Sequence, residues 1–177
     1  MAKIHPTADV NPKAELGEGI VFLRGVPLLV QLLVFYYTLP VIGIDVPATV
    51  AAIVTVGICA SAYISEIWRG AIAALPKGQA EAAIAIGMSP LDVWRRVILP
   101  QAFTMSLPAL INELILLVKA SSLVSVVGIM EVTRASQAQA ATTFRPLEVY
   151  LAAACIYLMI NLCLAVLGRY LEHRTAV

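Results

Sequence analysis

Four stretches of the chain are apolar almost without interruption, at residues 26–44, 47–67, 102–127 and 147–168. None alternates apolar with polar residues at period two, so none reads as a barrel strand. Helices are then the spanning form available, because in hydrocarbon each backbone N–H and C=O must be paired within its own segment. Each stretch is close to the roughly 20 residues that cross a bilayer. The first carries no charge, the second only Glu66, the fourth only Glu148, and the third carries Glu113 and Lys119. Prolines mark the joints. Pro40 and Pro47 bracket a turn around Gly43 and Asp45, and Pro76 and Pro100 bracket the one long polar loop. Pro146 opens the last helix, where a missing N–H costs little. The pattern predicts an all-α membrane protein with four spanning helices.

Composition agrees with the pattern. Of 177 residues, 60% are hydrophobic and 13% charged, against about 45–50% and about 25% in soluble domains. A net charge of +1 gives no reason to expect nucleic acid as a partner. Cys59, Cys155 and Cys163 all lie in apolar runs without metal-ligand spacing, and read as small buried apolar residues. His5 and His173 stand near opposite ends. No metal site and no cofactor is expected. The first twenty residues lack the apolar core of a signal peptide.

The distribution of charge orients the helices. Lys3, Lys13 and Arg24 precede the first stretch, Arg69, Lys77, Arg95 and Arg96 lie between the second and third, and Arg169 and Arg174 follow the fourth. With four spans these segments share one side and hold nine of the twelve basic residues, while Arg134 and Arg145 fall on the other. The positive-inside rule places the long loop and the C-terminus in the cytoplasm of a multi-pass inner-membrane protein.

That loop predicts two short helices. Residues 79–86 are alanine-rich and end at Gly87, a natural C-terminal stop. Glu81 is expected in the first turn, where the helix dipole favours a carboxylate. Ser89 reads as an N-cap, with Pro90 at the first helical position and Asp92 as the acidic partner of a capping box. The second helix, 90–98, is expected to stop ahead of Pro100. Small Ala82, Ala83 and Ala85 would let a partner approach closely. By spacing alone, a docking element and an ordinary solvated loop are equally good readings.

The loop also carries a longer pattern. Glu81-Ala82-Ala83, three residues, Gly87, nine residues, then Val97-Ile98-Leu99-Pro100 resembles the EAA motif of ABC importer permeases, with Val97 in place of the usual Ile. The stretch 23–31, LRGVPLLVQ, resembles that family's L-R-G-T-P-L-L-V-Q segment with Val26 for Thr. Ala62, Tyr63, Glu66, Arg69 and Gly70 resemble its A-Y-x-x-E-x-x-R-G signature. Asn112-Glu113, the run 119–125 and Phe144-Arg145-Pro146 resemble further segments of the polar amino acid branch.

The resemblance implies an ABC-importer helical bundle over residues 22–172 with a cytoplasmic tail at 173–177, and a permease that takes polar amino acids across the inner membrane. Glu81, Ala82, Ala83, Gly87, Val97, Leu99 and Pro100 would then form the coupling helix that seats on a separate ABC ATPase subunit. A periplasmic amino acid-binding protein would deliver the substrate, and a second permease subunit, identical or different, would complete the pore. The chain itself would not be an enzyme: it has no Gly-Lys pair and hence no P-loop.

Glu113 and Lys119 are the charges within the third stretch, and intramembrane charges default to functional candidates. With Asn112 they are the candidate translocation path. Lys119 also reads as a residue snorkelling to the far interface, and Gln137 and Gln139 could meet the binding protein. Glu66 and Arg69, spaced i,i+3, are expected to form a structural ion pair.

Residues 1–21 do not fit the pattern. Members of the branch usually have a further helix ahead of the L-R-G segment, and this polar stretch cannot span. Ile4, Val10 and Leu16 recur every six residues, each followed four later by Ala8, Ala14 and Ile20. This resembles the hexapeptide repeat of left-handed β-helix acyltransferases. Three hexads make only about one coil, and repeat folds need several stacked units, so no transferase activity is expected. An acyltransferase, or an inactive or chimeric membrane fragment, stands as the alternative reading.

Overall fold

A computed structural model describes residues 23–175; the hexad expectation for residues 1–21 lies outside them. The described residues form helices α1 (Leu28–Val41), α2 (Ala48–Ala74), α3 (Lys77–Ala85), α4 (Pro90–Val93), a π-turn at Trp94–Ile98, α5 (Leu99–Ala120), a 3-10 turn at Ser121–Val127, α6 (Val132–Thr143) and α7 (Pro146–Thr175). No strand occurs among them. In the bundle α5 packs between α2 and α7, α1 lies against α2, and α6 lies against α7.

Among the described residues, three helical runs are long and apolar enough to cross a bilayer: α2, the run Pro90–Val127, and α7. The first expected span is shorter than the sequence suggests. Residues 23–25 are helical, the chain breaks at Val26 and Pro27, and α1 then runs for 14 residues. At 1.5 Å per residue that is about 21 Å, short of the roughly 30 Å of hydrocarbon. Proline explains the break, since a residue before proline is pushed out of the helical region. Because α1 runs back along α2 from their short connection, its N-terminus lies opposite the middle of α2.

The third span departs in the other direction. The helix that starts at Pro90 does not stop ahead of Pro100 but runs on through the π-turn into α5. Pro100 is absorbed near the start of α5, behind a turn in which the Leu99 N–H reaches back five residues to the Trp94 carbonyl. A proline ring collides with the carbonyl four residues back in an α-helix, and the wider turn moves that carbonyl aside. The second helix of the loop and the membrane helix are therefore continuous.

Beyond α5 the polar stretch 131–146 holds α6, a helix for which the apolar pattern gives no signal. Glu131 caps it: its carboxylate accepts the Thr133 and Arg134 N–H groups at 2.8 and 2.7 Å. The Tyr157 hydroxyl donates to the same carboxylate at 2.8 Å and lies 3.2 Å from the Thr133 hydroxyl, which ties α6 to α7. The last helix also outlasts the expected 168 and reaches Thr175.

The interior is built from small side chains. Ala51, Ala52, Ala60, Ala62, Ala102 and Ala153 are buried, with Thr55, Ser106, Ser125 and Ser136, while Leu32 is the largest side chain shielded from solvent altogether among the described residues. Large apolar side chains such as Leu147, Leu151, Leu158, Met159 and Leu162 point outward. Lipid tails are as apolar as leucine, so helices in a bilayer associate by close approach of small residues. Of the three cysteines, Cys59 is buried, but Cys155 and Cys163 are exposed on α7 rather than buried as expected.

The tightest approach is at Gly168 of α7, which is buried. A Cβ there would meet Cγ2 of Ile111 on α5 at 2.7 Å and its Cδ1 at 3.1 Å. Gly168→Leu is expected to push α7 off α5 and cost about 1–3 kcal/mol, the range for overpacking. Thermal unfolding in detergent would check it, and an unchanged midpoint would mean that the contact is not needed.

Candidate functional site

Two regions bring together the residues singled out by sequence: the loop between α2 and α5, and a cavity between α1, α2 and α5.

In the loop, α3 ends in a Schellman turn. Gly87 takes φ +87, its N–H donates to the Ile84 carbonyl at 2.9 Å, and the Met88 N–H donates to the Ala83 carbonyl at 3.1 Å. The next helix is capped as expected at Ser89, whose hydroxyl accepts the Asp92 N–H at 3.2 Å and donates to Asp92 Oδ2 at 2.7 Å. Asp92 also faces Arg96, with Nε 3.3 Å from Oδ1. Three contiguous devices thus hold the turn in one shape: a left-handed glycine, a hydroxyl cap and an ion pair.

The EAA residues divide by face. Glu81 and Ala82 are exposed, and so are Gly87, Leu99 and Pro100, whereas Val97 is half-buried and Ala83 is buried. Ala83 packs inward and cannot present itself to a partner as the sequence reading supposed. The small side chain there lets α3 sit close to the start of the next helix. Glu81 belongs to the second turn of α3, not the first, because the helix begins at Lys77. Next to these residues Ile84, Ile86, Leu91 and Trp94 are exposed, Ile86 by 80% and Leu91 by 78%. Apolar side chains this exposed in one polar loop mark an interaction surface.

The cavity, about 430 Å³, lies in the body of the bundle. Arg24, Tyr63 and Glu113 provide its polar wall, and Cys59, Leu116 and Leu117 its apolar wall. Glu113 is buried, and its carboxylate accepts no hydrogen bond from any described residue. The Arg24 guanidinium stacks over the Tyr63 ring, 5.1 Å from its centroid. The Gln31 amide donates to the Leu23 and Val26 carbonyls at 2.7 and 2.8 Å and so pins the segment that carries Arg24. The N-terminus of α1, which has no side-chain cap, borders the same space through Pro27 and Leu28. Helix N-termini favour anions.

Of the three residues expected on the path, the structure puts Glu113 on the cavity wall. Asn112 and Lys119 are exposed on other faces of α5 and do not line it. The sequence places Arg24 ahead of the first span and within the 23–31 pattern, and Gln31 within that pattern alone, without a site role for either; the structure puts Arg24 on the cavity wall and Gln31 beneath the segment that carries it. Lys119 makes no ion pair with Glu113; six residues apart on a helix, the two do not share a face. Glu66 and Arg69 form the expected pair, with Arg69 Nε 3.1 and 3.0 Å from the two carboxylate oxygens. Gln137 and Gln139 are exposed on α6.

The cavity with its opposite charges lies among apolar helices, two of them long enough to cross a bilayer. Residues 18–177 match the family described as "binding-protein-dependent transport system inner membrane component". The chain belongs to that family. This family member is 42% identical over 158 residues to the glutamine transport system permease protein GlnP of Escherichia coli (strain K12), covering 88% of this chain and 72% of GlnP. It is 39% identical over 152 residues to the arginine transport system permease protein ArtQ of Bacillus subtilis (strain 168), covering 85% and 69%. Among solved structures it resembles an amino acid ABC transporter, with a TM-score of 0.81 and 41% identity over 88% of this chain and 72% of that one. The inward-facing MetNI methionine ABC transporter shares the fold, with a TM-score of 0.73 at 22% identity. The chain is thus an ABC-importer permease, a multi-pass inner-membrane protein that works with an ATPase and a substrate-binding protein. Nothing in these likenesses supports the acyltransferase alternative.

Proposed function

We propose that this permease moves polar amino acids, and that the cavity between α1, α2 and α5 is where the substrate passes. The observation that carries the reading is the pair of opposite charges, Arg24 and Glu113, facing one 430 Å³ space. A zwitterionic amino acid fits such a pair: its carboxylate turns to the guanidinium and to the uncapped N-terminus of α1, its ammonium to Glu113. The names of the relatives, a glutamine and an arginine permease, support the same substrate class. Asn112 and Lys119 lie on the outward face of α5, where a second permease subunit could bring them to the path.

Glu81, Ala82 and Gly87, with Val97, Leu99 and Pro100 behind them, seat the loop on the ATPase subunit. The exposed Ile84, Ile86, Leu91 and Trp94 supply the apolar contact. Hydrolysis belongs to that separate chain. The loop and the C-terminus face the cytoplasm, by the distribution of basic residues, and α6 faces the periplasmic binding protein. The transmembrane domain is assigned to residues 22–172.

Uptake of labelled glutamine, arginine and histidine into proteoliposomes holding the permease with its ATPase and binding protein tests the reading. ATP-dependent accumulation of at least one is expected. A complex that hydrolyses ATP but accumulates none of them, or a loop labelled from the periplasmic side, would refute it.

A further inference from the structure

The π-turn at Trp94–Ile98 stands between the docked end of the loop and the helix that carries Glu113. Helices rarely hold such a turn, since it packs one residue more than an α-turn, and where it occurs it is frequently functional. Two further observations bear on this one. First, the Gln101 amide donates to the Val97 carbonyl at 2.8 Å, so a side chain braces the turn beside Pro100, which has no N–H to give. Second, a cavity of about 150 Å³ lies against it, lined by Ile72, Leu75, Lys77, Ala80, Val97 and Ile98. A turn with a spare residue therefore adjoins spare volume, at the meeting point of α2, α3 and the rod.

We propose that this turn is a two-register joint. In the structure it holds the wide register. When the ATPase closes, the turn is driven to the α register against the crowding of the Pro100 ring on the Arg96 carbonyl, Val97 and Ile98 move into the void, and α3 and α4 rotate relative to α5. One residue of α-helix is about 100° of rotation, enough to turn a small movement at the docked end into a turn of the cavity wall. Packed elements change between discrete arrangements rather than by continuous bending, and a register slip into a ready void is such a change. The joint rests on the importer reading, because it needs the ATPase to drive it.

The test uses the whole complex in nanodiscs, with and without a non-hydrolysable ATP analogue. Hydrogen exchange of the peptide covering residues 94–101 is expected to change about tenfold on nucleotide binding, as a shift of roughly 1.4 kcal/mol between registers would produce. Ala80→Leu fills the void. It is expected to keep the ATPase bound and its basal hydrolysis, to abolish the nucleotide-dependent exchange change, and to lower uptake by about tenfold on the same scale. Gln101→Met removes the brace, and is expected to speed exchange at residues 94–101 without nucleotide, whether or not Ala80→Leu assembles. Exchange indifferent to nucleotide in the wild type, uptake at the wild-type rate in Ala80→Leu, or unchanged exchange in Gln101→Met overturns the joint and leaves the importer reading standing. A wild-type permease that never holds an ATPase subunit overturns both.

Discussion

Replacing Glu113 by glutamine is expected to reduce amino acid uptake by about a hundredfold or more. The substitution keeps the shape of the cavity wall and removes only the negative charge, so the helices should pack as before. It strands the ammonium of a zwitterionic substrate in a space that Cys59, Leu116 and Leu117 make largely apolar. Stranding one partner of a desolvated charge pair costs about 3–5 kcal/mol, and every 1.4 kcal/mol is a decade. A second readout separates this role from a merely structural one. Wild-type transport should be inhibited by the amino acid and hardly at all by its des-amino acid, whereas Glu113→Gln should lose that preference. Proteoliposome uptake with both competitors measures it. A variant that transports normally would remove Glu113 from the path.

The second large effect is expected at Gly87. A Cβ at this position meets nothing within 4 Å, so space is not the obstacle. The obstacle is φ +87, which L-residues enter at a cost of roughly 1–2 kcal/mol, more for a β-branched side chain. Gly87→Val should undo the Schellman turn, free the Ala83 and Ile84 carbonyls, and swing α3 away from the Ser89 cap. Uptake should fall about tenfold or more, on the scale of 1.4 kcal/mol per decade, while membrane insertion is retained. Gly87→Asn should be far milder, because asparagine tolerates the left-handed region. Measuring ATP hydrolysis and uptake together in both variants checks the argument, and equal activities would show that the turn is not needed for coupling.

Much of the loop was legible in the sequence because its signals are local. Gly87, Ser89, Pro90 and Asp92 act on neighbours within a few residues, and each stands where its chemistry predicts. The Glu66–Arg69 pair is equally local. The apolar runs gave the class of fold for a related reason, since a bilayer imposes length and apolarity directly on the chain. Errors arose where two local rules competed. Pro100 was read as a stop, yet a wider turn behind it lets the helix pass. Val26-Pro27 lies inside an apolar run and was read through, yet the proline broke the helix. The helix at Val132–Thr143 escaped notice because its residues are mostly polar and its cap is a glutamate rather than the more usual short polar side chain.

The cavity was legible only in part. Glu113 stood out as a charge in hydrocarbon, but nothing in the order of residues says that Arg24 faces the same cavity. They are 89 positions apart and line one space because α1 starts halfway along α2. The one clue was Gln31, a polar residue in an otherwise apolar stretch, which turns out to hold the Arg24 segment in place.

The inverted interior described above has a consequence for how this protein can change over time. In a soluble domain the buried positions demand large apolar side chains and the surface drifts freely among polar ones. Here Leu147, Leu151, Leu158, Met159 and Leu162 can trade places with other bulky apolar residues at little cost, because the surrounding hydrocarbon conforms to any of them. Constraint falls instead on alanine, serine and the glycine against Ile111, where a single added methyl has nowhere to go. Divergence among relatives should therefore accumulate on the greasy outside and stall on the inconspicuous residues within.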